Sequence, residues 1–309
     1  MALLFVLVLF LMTVVMLIFQ NTIGIIINSV ILICLVGIFI ISHIESKKFK
    51  ITKYNIDVFD NTSFSGFKIA MLADMHNCWF GVDNASILNV INGYSPDIIV
   101  IAGDMIVCRE KHVENNLKTA EFVNALTDIA PVYYGYGNHE MGVAKGLKNV
   151  GENWKQYISL LNEKVHLLDN DKINITKDNQ EFAVYGLNLP TDYYERLKVE
   201  PLNKTDISNY IGEANEDSYN ILIAHNPDYF KAYSNWGANL ILSGHNHGGL
   251  VKLPLFGGVI SPRLHLFPRY SYGLYEKDNS KMILTNGLGA HSLKIRVNNI
   301  PEIVLIDIS

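Results

Sequence analysis

Cysteine is scarce in this chain: three residues in 309, Cys34, Cys78 and Cys108. Three thiols cannot build the paired framework that staples small secreted domains, and no C-x-x-C spacing offers a zinc site. A reduced compartment fits that usage. Cys34 lies inside an apolar run and reads as a small buried hydrophobe. Cys78 and Cys108 each follow an aspartate by four residues and read as loop packing. Positive charge is also in short supply. Twenty-five Lys and Arg stand against 30 Asp and Glu, for a net charge of -5, which argues against a broadly basic surface and leaves nucleic acid off the expected partners. No internal repeat and no low-complexity tract is present.

Apolar sequence is abundant at the start. Residues 2–19 and 23–42 are nearly continuous apolar runs, separated by Gln20-Asn21-Thr22. Each is long enough to cross ~30 Å of hydrocarbon as a helix. Together they predict a transmembrane helical hairpin, so residues 1–45 are expected to anchor the chain as a multi-pass membrane protein. Lys47, Lys48, Lys50 and Lys53 follow the second run, whereas the first has no charged flank; the positive-inside rule then places the remainder in the cytoplasm, at the cell membrane. A single signal anchor that exports the domain is the alternative. A cleavable signal peptide is disfavoured, because no small-residue cleavage site follows a short core.

Residues 46–66 read as a linker and edge strand (51–58), and 67–309 as one folded domain. Further strand-like runs fall at 68–73, 97–102, 132–135, 181–187, 220–224, 238–243, 281–285 and 302–308, with helical spacing at 84–92, 112–126, 154–162 and 227–235. Asp83 or Asn84 suits the cap of the first helix and Pro227 the first turn of the last. Continuous apolar strands alternating with helices predict an α/β fold of two packed mixed β-sheets flanked by helices.

Five short polar blocks punctuate these runs: Asp74-x-His76, Gly103-Asp104, Gly137-Asn138-His139-Glu140, His225, and Gly244-His245-x-His247. Most stand where a β-branched run stops. Strands that end in metal-type ligands, several times over, converge on one edge, which is how a sheet can hold a metal pair ~3.5–4 Å apart. Asp74 and His76 are two apart and, in extended chain, point to one side; His245 and His247 repeat the spacing. Asp104, behind a glycine, suits a bridging carboxylate, and Asn138 offers a neutral oxygen. Two divalent cations outweigh two carboxylates and one hydroxide, so such a site stays net positive and suits an anionic ester. Mixed imidazole and carboxylate donors fit Mn²⁺, Fe or Zn²⁺ better than Ca²⁺.

In this order the blocks resemble the calcineurin-like metallophosphoesterase superfamily, over about residues 66–309, and within it the membrane-anchored YkuE/YaeI-type branch. Leu253-Pro-Leu-Phe-Gly-Gly258 and Asn298-Asn-Ile-Pro-Glu-Ile303 resemble stretches common in that branch. The resemblance implies a metallophosphoesterase domain with two divalent ions. Asp74, His76 and His247 would hold the first, Asn138, His225 and His245 the second, and Asp104 would bridge them. His139 would contact the phosphoryl oxygen or protonate the leaving oxygen while metal-activated water attacks in line. Glu140 would support its loop.

Val107 stands where phosphoprotein phosphatases carry a second Asp and purple acid phosphatases a Tyr ligand, so neither branch is expected. No His follows Gly103-Asp104 before His112, which disfavours the nuclease branches. What remains is a phosphodiester or pyrophosphate in a lipid-linked or nucleotide-linked substrate, with membrane lipid as a partner. A phosphomonoesterase and a non-catalytic, metal-retaining membrane sensor are the alternatives. His265 and His291 are candidates to approach substrate. Arg263, Arg269 and Arg296 are candidate phosphate clamps, ordinary salt bridges being the other reading.

Overall fold

The structure, a computed structural model, describes residues 10, 12–17, 22–58, 66–195, 200–249, 251–253, 257–259, 261, 266–289 and 296–309. Two six-stranded sheets form its centre. The first runs β1 (Lys50–Ile56), β14 (Glu302–Ile308), β2 (Phe67–Leu72), β3 (Ile98–Ala102), β4 (Val132–Gly135), β5 (Val165–Leu168). The second runs β12 (Gly273–Lys277), β13 (Ser280–Leu284), β9 (Leu240–Ser243), β8 (Tyr219–Ala224), β7 (Gln180–Leu187), β6 (Asp171–Lys177). The register is parallel from β2 to β5 and from β13 through β9 and β8 to β7; β14–β2, β12–β13 and β6–β7 are antiparallel. Both sheets are therefore mixed, as expected. A two-residue pair, β10 (Lys252–Leu253) with β11 (Gly257–Gly258), stands apart.

Strand alternation explains the four layers. In β2, Ile69 and Met71 face the second sheet while Ala70 and Leu72 face helices. In β8, Ile221 and Ile223 meet the first sheet while Leu222 and Ala224 meet helices on the far side. Both faces of each central strand are thus apolar, which is why these strands read as continuous runs. The helices Ala85–Tyr94 and Val113–Leu126 cover the first sheet; Lys204–Ile211 and Phe230–Trp236 cover the second.

The strands absent from the sequence reading are β5, β6 and β12 plus the short β10–β11 pair, and the first three close a sheet edge. Edge strands bury one face only and carry polar residues, as in Asp171–Lys177, so no apolar run announces them. Asn84 does occupy the cap of Ala85–Tyr94, but its side chain bonds back to the Phe80 amide rather than into the helix.

At the N-terminus one helix, Thr22–Glu45, is long and apolar enough to cross a membrane by length and composition. Residues 12–17 are helical too, and Thr13 Oγ1 accepts a hydrogen bond from Asn28 Nδ2 at 2.8 Å. Most of the first half of the expected hairpin lies outside the described residues. β1 begins five residues after the helix ends, stands at an edge of the first sheet where an edge strand over 51–58 is expected, and pairs with β14 along its whole length.

Candidate metal centre

The five polar blocks meet. Asp74 follows β2, Asp104 follows β3 and Asn138 follows β4, which are neighbours in the first sheet; His225 follows β8 and His245 follows β9, neighbours in the second. All five are carboxyl ends of parallel strands, and stacking the two sheets brings those ends to one edge. The two halves touch through glycine. A Cβ on Gly244 would fall 2.6 Å from Asp74 Oδ2, and one on Gly103 would fall 2.7 Å from His225 Nδ1.

Ligand atoms of Asp74, His76 and His247 lie within 4.8 Å of one another, and so do those of Asp104, His225 and His245. His247 Nε2 stands 3.1 Å from His76 Nε2 and 3.3 Å from Asp74 Oδ1; His225 Nε2 stands 3.2 Å from Asp104 Oδ2. Asp74, Asp104, His225, His245 and His247 are all buried. Asp74, His76, Asp104, His245 and His247 have positive φ, between 47° and 73°. The extended chain expected for Asp74-x-His76 is therefore replaced by left-handed turns. Such a conformation is costly for a residue with a Cβ and persists where surrounding bonds over-determine it. Here they do: the Asp74 amide donates to Gly103 O, the His76 amide to Asp104 O, and the His245 amide to both Asp74 carboxylate oxygens.

Hydrogen bonds sort the imidazoles. His225 Nδ1 is 2.6 Å from Ala102 O and His247 Nδ1 is 3.2 Å from Gly289 O, so in each ring Nδ1–H donates and Nε2 faces the site. His139 is the reverse. Its Nδ1 accepts the Cys108 amide at 2.9 Å, so the neutral ring carries its proton on Nε2. His139 also lies close to His76 and Asp104, within the same 4.8 Å spacing, but a nitrogen that carries a proton has no lone pair for a metal. Asn138 Oδ1, buried, makes no hydrogen bond among the described residues, and His225 Nε2 faces the carboxylates of Asp104 at 3.2 Å and Asp74 at 3.8 Å. A buried polar atom without a partner is costly unless something else meets it. With two carboxylates alongside, the donor set fits divalent cations.

The electrostatics agree. Burial pushes the Asp74 carboxyl up to about 7 against the pull of His225. Burial acts the same way on Asp104, but His225, His139 and His76 overcome it and hold that carboxyl well below its usual range. His225 is raised to about 9 because Asp104 and Asp74 outweigh its burial. Burial lowers His139, which keeps that ring neutral. The pocket is thus a place where positive charge is held against desolvation.

Glu140 does more than line its loop. Its carboxylate accepts the amides of Asp104, Met105, Ile106 and Gly137 and the hydroxyl of Tyr134. Asn116 braces the same loop, accepting from Val107 N and donating to Val107 O. The sequence reading missed Asn116. Its signal was a polar residue on the face of Val113–Leu126 that also holds Thr119, Ala120 and Val123, all buried. Tyr194 was missed too; its ring lies 5.1 Å from that of His245.

Arg296 corrects the expected phosphate clamps. It is 2% exposed and its guanidinium donates to backbone carbonyls inside the protein, so it faces away from any substrate. Arg269 lies 5.2 Å from the Tyr270 ring. Arg263, His265 and His291 lie outside the described residues.

The family model for the calcineurin-like phosphoesterase matches residues 67–249. Among curated relatives, the metallophosphoesterase YkuE of Bacillus subtilis is 27% identical over 78% of this chain and 79% of its own length. The phosphodiesterase YaeI of Escherichia coli is 24% identical over 86% of this chain and 90% of its own. The UDP-2,3-diacylglucosamine pyrophosphatase LpxG of Chlamydia trachomatis is 24% identical over 86% and 91%.

Proposed function

The chain belongs to the calcineurin-like phosphoesterase family and is a metal-dependent phosphoester hydrolase; from that premise we propose a membrane-anchored enzyme that cleaves a phosphodiester or pyrophosphate bond in a lipid-linked or nucleotide-linked substrate. The observation that carries this reading is the buried Asn138 Oδ1, which makes no hydrogen bond among the described residues, beside His225 Nε2 and the Asp104 carboxylate 3.2 Å apart. In it, Asp74, His76 and His247 would hold one ion and Asn138, His225 and His245 a second, with the Asp104 carboxylate available to either. Mn²⁺, Fe and Zn²⁺ suit these donors. Bound there, the ions supply the Lewis acidity that activates water and offsets charge on the phosphoryl group.

The chain's own groups supply the rest. His139, neutral and protonated on Nε2, donates to a phosphoryl or leaving oxygen. Its Nδ1 cannot rotate away without breaking the bond from the Cys108 amide. Glu140 fixes the loop on which Asp104 sits, so the carboxylate is in place before substrate arrives. A metal-retaining sensor would have no use for a donor held this way.

The helix Thr22–Glu45, long and apolar enough to cross a membrane, supports the membrane reading. Lys47, Lys48 and Lys53 beyond it favour a cytoplasmic domain, at the multi-pass cell-membrane location expected from both apolar runs. A relative that acts on UDP-2,3-diacylglucosamine and one named as a phosphodiesterase favour a diester or pyrophosphate over a monoester.

The test is hydrolysis of bis-(p-nitrophenyl) phosphate by the full chain in detergent with Mn²⁺. Turnover is expected to exceed that of p-nitrophenyl phosphate. In Asp104→Asn, kcat/KM is expected to fall by more than ~100-fold. Full activity in that variant overturns the role given to Asp104.

A further inference from the structure

Arg296 heads the fully buried side chains by volume, yet it lies in an irregular segment ahead of β14. Its guanidinium gathers carbonyls. Nη1 donates to Asn299 O, and Nη2 to Asn286 O at 2.9 Å, Gly287 O at 3.1 Å and Gly289 O. The last three carbonyls belong to a strap, residues 285–289, that follows β13 and lies against the Asp74–His76 loop. The contact is backbone on backbone: the Leu288 amide donates to Ala73 O and the Gly289 amide to Asp74 O at 2.6 Å. A Cβ on Gly289 would fall 2.1 Å from Met75 O. The Gly289 carbonyl that Arg296 holds is also the partner of His247 Nδ1.

Asn299 closes the other side. Its Nδ2 donates to His247 O at 2.6 Å and to Gly249 O. Arg296 and Asn299 together thus grip His247 by ring and by backbone, and Asp74 by backbone.

The same two residues are held by the N-terminal helix. The Arg296 amide donates to Ser42 Oγ at 2.8 Å, and the Asn299 amide donates to Glu45 Oε2 at 3.1 Å. Ser42 and Glu45 lie one turn apart at the end of Thr22–Glu45, and Ser42 is 2% exposed although that helix is otherwise largely bare. Two residues of the second metal position, His225 and Asn138, have separate supports. His225 rests on Ala102 O, and Asn138 lies on a helix held by Glu140.

We propose that Arg296 and Asn299 are positioning residues for the first metal position, and that Ser42 and Glu45 at the end of the N-terminal helix set its ion affinity through them. The proposal rests on the two-metal hydrolase reading above. Its physical basis is the cost of a loosened imidazole: when the partner that fixes the ring's tautomer and direction is lost, affinity commonly falls 10–100-fold. In this molecule that partner is Gly289 O, and its place is fixed by a guanidinium whose own backbone is tied to the helix. The helix end and the metal loop then form one hydrogen-bonded unit, so a change at either is felt at the other.

The experiment is Mn²⁺ titration of the full chain in detergent micelles, following free Mn²⁺ by electron paramagnetic resonance, with melting temperature measured in parallel. Wild type is expected to bind two Mn²⁺. In Ser42→Ala combined with Glu45→Ala, one of the two is expected to weaken by about 10–100-fold, the other to stay within about threefold, and the melting temperature to hold. Ser42→Thr, which keeps the hydroxyl, is expected to bind as wild type. Arg296→Lys keeps the charge but not the forked geometry and is expected to weaken the same ion. Two tight Mn²⁺ in the helix-end double variant overturn the coupling and leave the hydrolase reading standing. Equal weakening of both ions with a lower melting temperature also overturns it, because that is general loosening. A wild type that takes up neither Mn²⁺ nor, in a parallel titration, Zn²⁺ or Fe²⁺ overturns the two-metal reading, and the coupling with it.

Discussion

Glu140 Oε2 accepts the Asp104 amide at 2.8 Å, and across the same junction Asp104 Oδ1 accepts the His139 amide at 2.8 Å. The loops after β3 and β4 therefore clasp each other through one carboxylate apiece. One carboxylate, Asp104, faces the metal centre; the other, Glu140, is spent wholly on structure. Burial raises the Glu140 pKa, yet it accepts bonds from four amides and a hydroxyl, the environment of an ionised acceptor.

That clasp makes Glu140→Gln informative. A glutamine amide must turn its NH2 toward one set of donors, and whichever way it turns, buried N–H groups lose their acceptor. Each costs about 1–3 kcal/mol. The melting temperature is expected to drop by roughly 5–10 °C, with weaker Mn²⁺ binding at the centre. An unchanged melting curve would contradict the account of this loop.

His139→Asn separates catalysis from metal binding. An asparagine Oδ1 stands close to where Nδ1 stood, so the Cys108 amide keeps an acceptor while the Nε2 proton is lost. The expected result is a ~10²–10⁴-fold fall in kcat, steepest for poor leaving groups, with metal content by elemental analysis unchanged. Loss of one metal equivalent would instead make His139 a ligand.

Lys252 provides a pH signature outside the centre. It is 7% exposed, its ammonium reaches Asn286 Oδ1 and lies 3.4 Å from the Tyr272 ring centroid, and burial pushes its pKa down to about 7. In the unfolded chain a lysine keeps its proton to about 10.4. Between those values the unfolded state binds more protons, so this group's contribution to stability rises with pH above 7; below 7 both states carry the proton and the contribution is flat. Chemical denaturation at pH 7 and pH 9 is expected to show a smaller gain, by ~2 kcal/mol, in Lys252→Met than in wild type. Equal gains in the two proteins would show that Lys252 is not held at a depressed pKa.

The central strands were readable because each buries both faces, so every residue from Ile98 to Ala102 is apolar and no competing pattern fits. Three of the four edges were not, because β5, β6 and β12 mix polar with apolar residues and acquire their identity from a neighbour; β1 is the edge the sequence announces. The Asn298–Ile303 stretch was noticed only as a likeness. Its meaning came with the fold: Asn299 holds the backbone of His247 and Gly249, and Glu302 accepts from Asn286 N and Thr285 Oγ1 inside while Lys50 and Thr52 reach it from β1.

By itself, the sequence determined which donors are present, in what order, and that strands deliver them, because ligand chemistry belongs to residue type and strand ends are local. The tertiary structure alone decided which nitrogen of each imidazole faces inward, which backbone is forced left-handed, and that Arg296 serves the scaffold rather than a phosphate. Those outcomes depend on partners distant in sequence, such as Ser42 for Arg296 and Ala102 for His225, and such pairings exist only once the sheets have stacked.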